Sequence, residues 1–267
     1  MKFIKLISIL ATTLFMLAWL SASSAYAQTI GSIQHIHNVK VFGDKILLGT
    51  HHGLYQYFSS NNIKIIGSEK LDLMALTVNK NSLYASGHPE PSSKVKNPLG
   101  LIRSTDGGKT WKALSLQGNV DFHLLEVNEN RIYGVDAQSS KLLHSSNGGK
   151  TWKDLGKTDF EDFAIFNAKK NEVYAIEAGS LYRTIDGFKS VTKVKTVEKV
   201  SSVEILASKI FIVSDNKIFS SKDLGKKWSL VYSFKEKILD LSLSYDLMVA
   251  ISANNLYVSS DGGREFT

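Results

Sequence analysis

The sequence predicts an all-β fold, a six-bladed β-propeller. Three observations carry this: a motif that recurs on a near-constant period, short alternating strands between its copies, and a length that fits six such units. The motif is "STDGGKTW" at Ser104–Trp111, and it returns as "SSNGGKTW" at Ser145–Trp152. Weaker copies are "TIDGFKS" from Thr184, "SKDLGKKW" from Ser221 and "SSDGGREF" from Ser259. Counted from Asp106, the intervals are 41, 39, 37 and 38 residues. A period in this range is the signature of stacked or radial repeat architectures.

Each copy is preceded by three short segments in which β-branched and aromatic residues alternate with polar ones, separated by Asn, Gly, Asp and Ser turns. That pattern reads as strands of a meander. A fourth strand follows each Trp, so each repeat is one propeller blade. A motif-free repeat, His35 to Gly67, makes the sixth, and seven blades is the alternative count. The blades are placed at roughly 34–68, 69–118, 119–158, 159–198, 199–235 and 236–267. The last motif ends at Thr267 and leaves no room for a fourth strand. Residues 28–33, and Thr29–Ile33 in particular, are therefore expected to supply that edge and close the ring, since closure removes an aggregation-prone edge.

Residues 1–27 read as a signal peptide. Lys2 and Lys5 precede an uncharged apolar run from Leu6 to Leu20, and Ala25-Tyr26-Ala27 forms a small-x-small cleavage site. The run is too short to span a bilayer, so the mature chain is expected to be periplasmic or extracellular, without a membrane span. The formal charge of +7 falls to +5 without the leader. The lysines are dispersed and the chain is exported, which argues against nucleic acid as partner. There is no cysteine, so stability must come from burial. A monomer is expected, with an unidentified protein, glycan or small molecule as its ligand.

The repeat S-x-D-x-G-x-T-W resembles the Asp box, or BNR repeat. Together with "HIHNV", "GTHHGLY", "SGHPEPSSKVKNPLGLIRSTDGGKTW" and "DFHLL", the mature chain is similar to an exported bacterial Asp-box propeller family often labelled glycosyl hydrolase or sialidase-like. More distantly it resembles the luminal domain of sortilin and a photosystem II assembly factor. The resemblance implies architecture more than function. The boxes, built on Asp106, Asn147, Asp186, Asp223 and Asp261 with Trp111, Trp152 and Trp228, are expected to be turn fasteners. Asp accepts backbone N–H bonds, Gly permits positive φ and Trp covers the strand gap. Asn147 and Phe188 are substitutions that a turn tolerates and a catalytic acid does not.

Any chemistry is expected on the opposite face, where the innermost strands start. Aligning those starts gives His35 and His37, Asp72 and Met74, Asp121 and His123, Asp162 and Ala164, Ser202 and Glu204, Asp240 and Ser242. The turn after the second strand adds His51, His52 and His88, and Ser86–Leu99 forms a long loop with Pro89, Glu90, Pro91 and Pro98. His144 falls outside this group, on a third strand.

Three readings follow. The Asp and His residues can bridge blades. They can bind a divalent transition metal or small ligand, with His35, His37, His51, His52, His88, Asp121 and His123 as contacts and His35, His37, His51 and His88 as metal ligands. Or a carboxylate pair drawn from Asp72, Asp121, Asp162 and Glu90 can serve a glycosidase. A sialidase needs three arginines on one carboxylate. The chain has four, Arg103, Arg131, Arg183 and Arg264, three of which flank or lie in Asp boxes, and it has no Arg-Ile-Pro signature. The sequence is therefore read as a binding or assembly module with a ligand site at the channel mouth, and a glycoside hydrolase as the alternative.

Overall fold

The computed structural model describes residues 30–33, 35–166 and 171–267; the leader lies outside them. No helix among these residues is long and apolar enough to cross a membrane. Blade one is β1 (Ile36–Phe42), β2 (Lys45–Thr50), β3 (Gly53–Ser59) and β4 (Asn62–Ile66). Blade two is β5 (Asp72–Asn79), β6 (Ser82–His88), β7 (Leu101–Ser104) and β8 (Lys112–Ser115). Blade three is β9 (Phe122–Asn128), β10 (Arg131–Asp136), β11 (Lys141–Ser145) and β12 (Lys153–Lys157). Blade four holds β13 (Asp162–Ile165), β14 (Val173–Glu177), β15 (Ser180–Thr184) and β16 (Thr192–Lys193). Blade five holds β17 (Ser202–Leu206), β18 (Lys209–Ser214), β19 (Lys217–Ser221) and β20 (Ser229–Ser233). Blade six holds β21 (Ile238–Leu243), β22 (Met248–Ser252) and β23 (Leu256–Ser259). Every sheet is an antiparallel meander in chain order, and six sheets make a six-bladed propeller.

The second strand of each blade is buried almost throughout, because both its faces meet neighbouring blades. The core is accordingly six interblade layers. One layer joins blades one and two through Leu47, Leu54, Leu73, Leu76 and Leu83, and each such leucine contributes about 1.5–3 kcal/mol by burial. The ring closes through the layer between blades six and one, where Val39, Val41 and Leu48 meet Val249, Ile251 and Leu256.

The sixth blade departs from expectation. Ile30–Ser32 form a short 3-10 turn, not a strand, and Ile30 and Ile33 pack their side chains against that closing layer. Their apolar surface is thereby used beside the channel mouth and not at the outer edge. Residues 28 and 29 lie outside the described residues. Beside β23, Thr267 and Val258 exchange two backbone hydrogen bonds of 3.0 Å, at the position of a fourth strand.

The Asp boxes repeat one hydrogen-bond set. The Ser104 hydroxyl donates to Asp106 at 2.7 Å and accepts from Gly108 N–H at 2.8 Å, while Thr110 donates its N–H and hydroxyl to Asp106. These bonds, led by that from the Thr110 hydroxyl, hold the Asp106 carboxyl well below its usual range. Asn147 keeps the turn by donating its amide to Thr151 at 2.9 Å, where Asp106 accepts. Trp111, Trp152 and Trp228 each pack into an interblade layer.

Gly108 shows how tightly each box seats on the previous blade. Its φ is +89°, and an added Cβ would lie 2.1 Å from Leu54 Cδ2. Gly108→Ala is therefore expected to destabilise the fold by about 1–3 kcal/mol, read as a lowered denaturant midpoint. An unchanged midpoint would show that the box is not held against blade one.

Candidate metal centre

Two side-chain clusters occupy consecutive blade junctions on the face opposite the boxes. At the first, His37 from β1 and His51 from the turn after β2 meet Asp72 at the start of β5. His51 Nδ1 lies 2.8 Å from Asp72 Oδ2, and His37 Nε2 lies 3.3 Å from Asp72 Oδ1. At the second, His88 at the end of β6 meets Asp121 and His123 at the start of β9. Both imidazoles present Nε2 to Asp121 Oδ2, at 3.3 and 3.1 Å. In each triad one donor atom per residue falls within 4.8 Å of the others.

The backbone explains the convergence. Asp72 and His88 are register partners beside a bulge in the β5–β6 pair, which brings both to the end of blade two, where Asp72 meets His37 and His51 of blade one and His88 meets Asp121 of blade three. At Gly87 a Cβ would sit 1.9 Å from the Asp72 carbonyl oxygen, so only glycine lets the two strands approach this closely. The long loop after His88 also has a role. Asn97 Oδ1 lies 2.8 Å from His88 Nδ1, which turns Nε2 toward Asp121.

Several polar atoms here have no hydrogen-bond partner among the described residues. His37 Nε2 and Asp72 Oδ1 face each other without hydrogen-bond geometry, and Asp121 Oδ1 has no partner although the residue is 5% exposed. Burial, with the charges of His51 and His35, outweighs Asp72 and lowers the His37 pKa. His123 is raised, chiefly by its hydrogen bond to Asp121. Burial pushes the Asp121 carboxyl up, but His123 and His88 together bring it below its ordinary value.

The remaining predicted residues separate from these triads. The set His35, His37, His51 and His88 does not form one cluster. His35 sits at φ 54° with its ring edge-on to His51 at 4.8 Å, and His52 is 6.3 Å from His51. Neither belongs to a triad. Glu90 is exposed on the long loop. Asp162 spends both carboxylate oxygens on backbone N–H groups, Phe163 and Val203, each at 2.8 Å. Asp240 does the same for Leu241 and Val39. These two are blade staples, whereas Asp72 and Asp121, at equivalent places, face imidazoles.

Sequence reasoning missed the group beneath the mouth. Lys40 reaches Glu204 at 3.0 Å and lies 3.9 Å from Glu126. Burial pushes Glu126 to about 8 and Asp162 to about 7. The available signal was a lysine between Val39 and Val41, both buried in the interblade layer, so that Lys40 on the opposite face must point into the channel.

A BNR/Asp-box repeat profile matches residues 102–113, the third strand and box of blade two. The fold is a β-propeller, and it carries a BNR/Asp-box repeat. No curated protein matches it in sequence. The propeller is similar to the GH74 enzyme of Niastella koreensis (TM-score 0.60, 14% identity, 91% of this chain and 46% of that one). It is also similar to YCF48 bound to a D1 peptide (0.52, 14%, 88% and 82%). A third likeness is PorZ, a surface component of the type-IX secretion system of Porphyromonas gingivalis (0.57, 14%, 90% and 33%). The propeller spans 38% to 46% of the length of three GH74 chains to which it is similar. At such identities the likeness is one of fold.

Proposed function

We propose that this propeller is an exported binding module that holds divalent transition-metal ions at its channel mouth. The observation that carries the reading is the pair of triads, each with two imidazoles and one carboxylate, at consecutive blade junctions. Such a donor set suits Zn²⁺, Cu²⁺ or Ni²⁺. Tetrahedral zinc with bonds of about 2.0–2.1 Å separates its ligand atoms by about 3.3 Å, close to the 3.1–3.3 Å found around Asp121. A cation between His37 Nε2 and Asp72 Oδ1 also supplies the partner that both atoms lack. With three protein ligands each, the sites leave coordination positions for water or a ligand.

Support for export comes from the leader-like residues 1–27 and from the likeness in fold to PorZ, a bacterial surface component. The glycoside-hydrolase alternative has less behind it. Of its four acids, two face imidazoles, Asp162 is bonded to backbone, and Glu90 stands on an exposed loop.

Thermal unfolding of tag-free protein with Zn²⁺, Cu²⁺ and Ni²⁺ tests the proposal. An ion at one hundred times its Kd stabilises the fold by about 2.7 kcal/mol per site. That gain should fade as pH falls below about 6.5, where free imidazole protonates. No shift with any of the three ions would overturn the reading.

A further inference from the structure

The propeller carries a second pocket, on the Asp-box face between blades three and four, with a volume of about 660 Å³. Its walls include Tyr133, His144, Trp152, Lys153, Phe188 and Lys189. The two boxes that flank it both depart from the first copy, with Asn147 in one and Phe188 in the other, as the blade-five box does at Leu224. Phe188 takes φ +68°, where the equivalent positions in the other boxes hold Gly108, Gly149, Gly225 and Gly263. A bulky residue at positive φ is strained, and such strain concentrates at functional places.

Comparison among the blades shows what the pocket lacks. In blades two, three and four a second-strand Tyr is the register partner of a basic third-strand residue: Tyr84 with Arg103, Tyr133 with His144, Tyr174 with Arg183. The residue two before each Tyr completes the set. In blade two Ser82 accepts from Arg103 at 2.8 Å, and in blade four Glu172 accepts from Arg183 at 2.7 Å. Glu172 also lies 3.5 Å from the Tyr174 hydroxyl, which donates to it. In blade three that acceptor position is occupied by a cation, Arg131.

His144 stacks on Tyr133 with centroids 4.3 Å apart, but among the described residues no acceptor serves the trio. The Tyr133 hydroxyl, His144 Nε2 and Arg131 Nη1 are all buried without a hydrogen-bond partner. Tyr133 itself is fully buried. Burial, followed by the charges of Arg131 and Lys153, lowers the His144 pKa.

From this geometry we propose that the pocket binds the oxyanion of a small organic acid or phosphate, which supplies to Arg131, His144 and Tyr133 the acceptor that Glu172 supplies in blade four. Lys153 and Lys189 stand at the rim beside Asp154 and Asp186, but those carboxylates are engaged by Lys141 and by Thr184 and Ser190, and Trp152 offers an apolar wall. The volume suits a ligand of monosaccharide size or somewhat larger. This site is independent of the channel mouth and of any metal there.

The test is titration of the whole mature chain with sodium glucuronate, sodium acetate and inorganic phosphate, followed by the His144 ring resonances and by calorimetry. Saturable movement of those resonances by at least one anion is expected, and the anion that binds more tightly identifies carboxylate or phosphate as the natural group. The double variants R131S/H144R and R131E/H144R install the arrangements of blades two and four. Each is expected to weaken binding at least about tenfold, which is about 1.4 kcal/mol, without loss of thermal stability. Resonances of His144 that stay fixed with all three anions would overturn the proposal, as would unchanged affinity in a folded double variant.

Discussion

Replacing Lys40 with Met is expected to destabilise the propeller by about 3–5 kcal/mol at neutral pH, the range for stripping one partner from a buried ion group. Its ammonium faces Glu204 and Glu126, with Asp162 and Asp240 also acting on it, and its side chain is 14% exposed. Methionine keeps most of the volume but leaves whichever of the four buried carboxyl groups are ionised without a counter-charge. The loss should depend on pH. Burial raises Glu126 to about 8 and Asp162 to about 7. Groups raised in this way contribute stability that is fully present below their unfolded values of about 4. That contribution disappears as pH rises through 7 and 8. Without Lys40 those carboxylates hold their protons still more firmly, so the variant should lose little at pH 5 and most at pH 8. Denaturant unfolding at both values checks this. An equal loss at pH 5 and pH 8 would show that Lys40 acts through packing alone.

The second large effect concerns the triads. His51→Ala removes one of three ligands at the first junction, and His88→Ala does so at the second. Loss of an outer-shell partner already costs about 10–100-fold in metal affinity, so loss of a direct ligand should cost at least about 100-fold. Each substitution is expected to silence its own junction and leave the other's affinity unchanged. Both histidines lie at the mouth with side chains a third or more exposed, 39% and 33%, so the fold should survive both changes. Asn97→Ala, which frees the His88 ring, should weaken only the second site. Equal weakening of both sites by one substitution would mean a single shared centre.

The fold was legible because its evidence is repetition. Five boxes at near-equal spacing set the blade length, and the turn chemistry of Ser104, Asp106 and Gly108 indicated which face they occupy. The sixth blade departs from expectation at residues 30–33 because Ile30 and Ile33 can satisfy their apolar side chains in the closing layer as well as in a strand. Alignment of the inner strands placed His37, Asp72, Asp121 and His123 on one face, and the turn after the second strand added His51 and His88. It could not divide them. Whether Asp162 staples a backbone or faces an imidazole depends on what the neighbouring blade presents, and that is a matter of blade rotation. The same holds for His144, whose meaning appears only beside Arg103 and Arg183 in three dimensions.

The central claim is that two separate three-ligand metal sites stand at consecutive blade junctions. Isothermal titration of the tag-free mature chain with Zn²⁺ at pH 7.5 tests it most directly. Two equivalents are expected for the native sequence, one for His51→Ala, one for His88→Ala and none for the double variant. Two equivalents retained by the double variant, or none taken up by the native sequence, would contradict it.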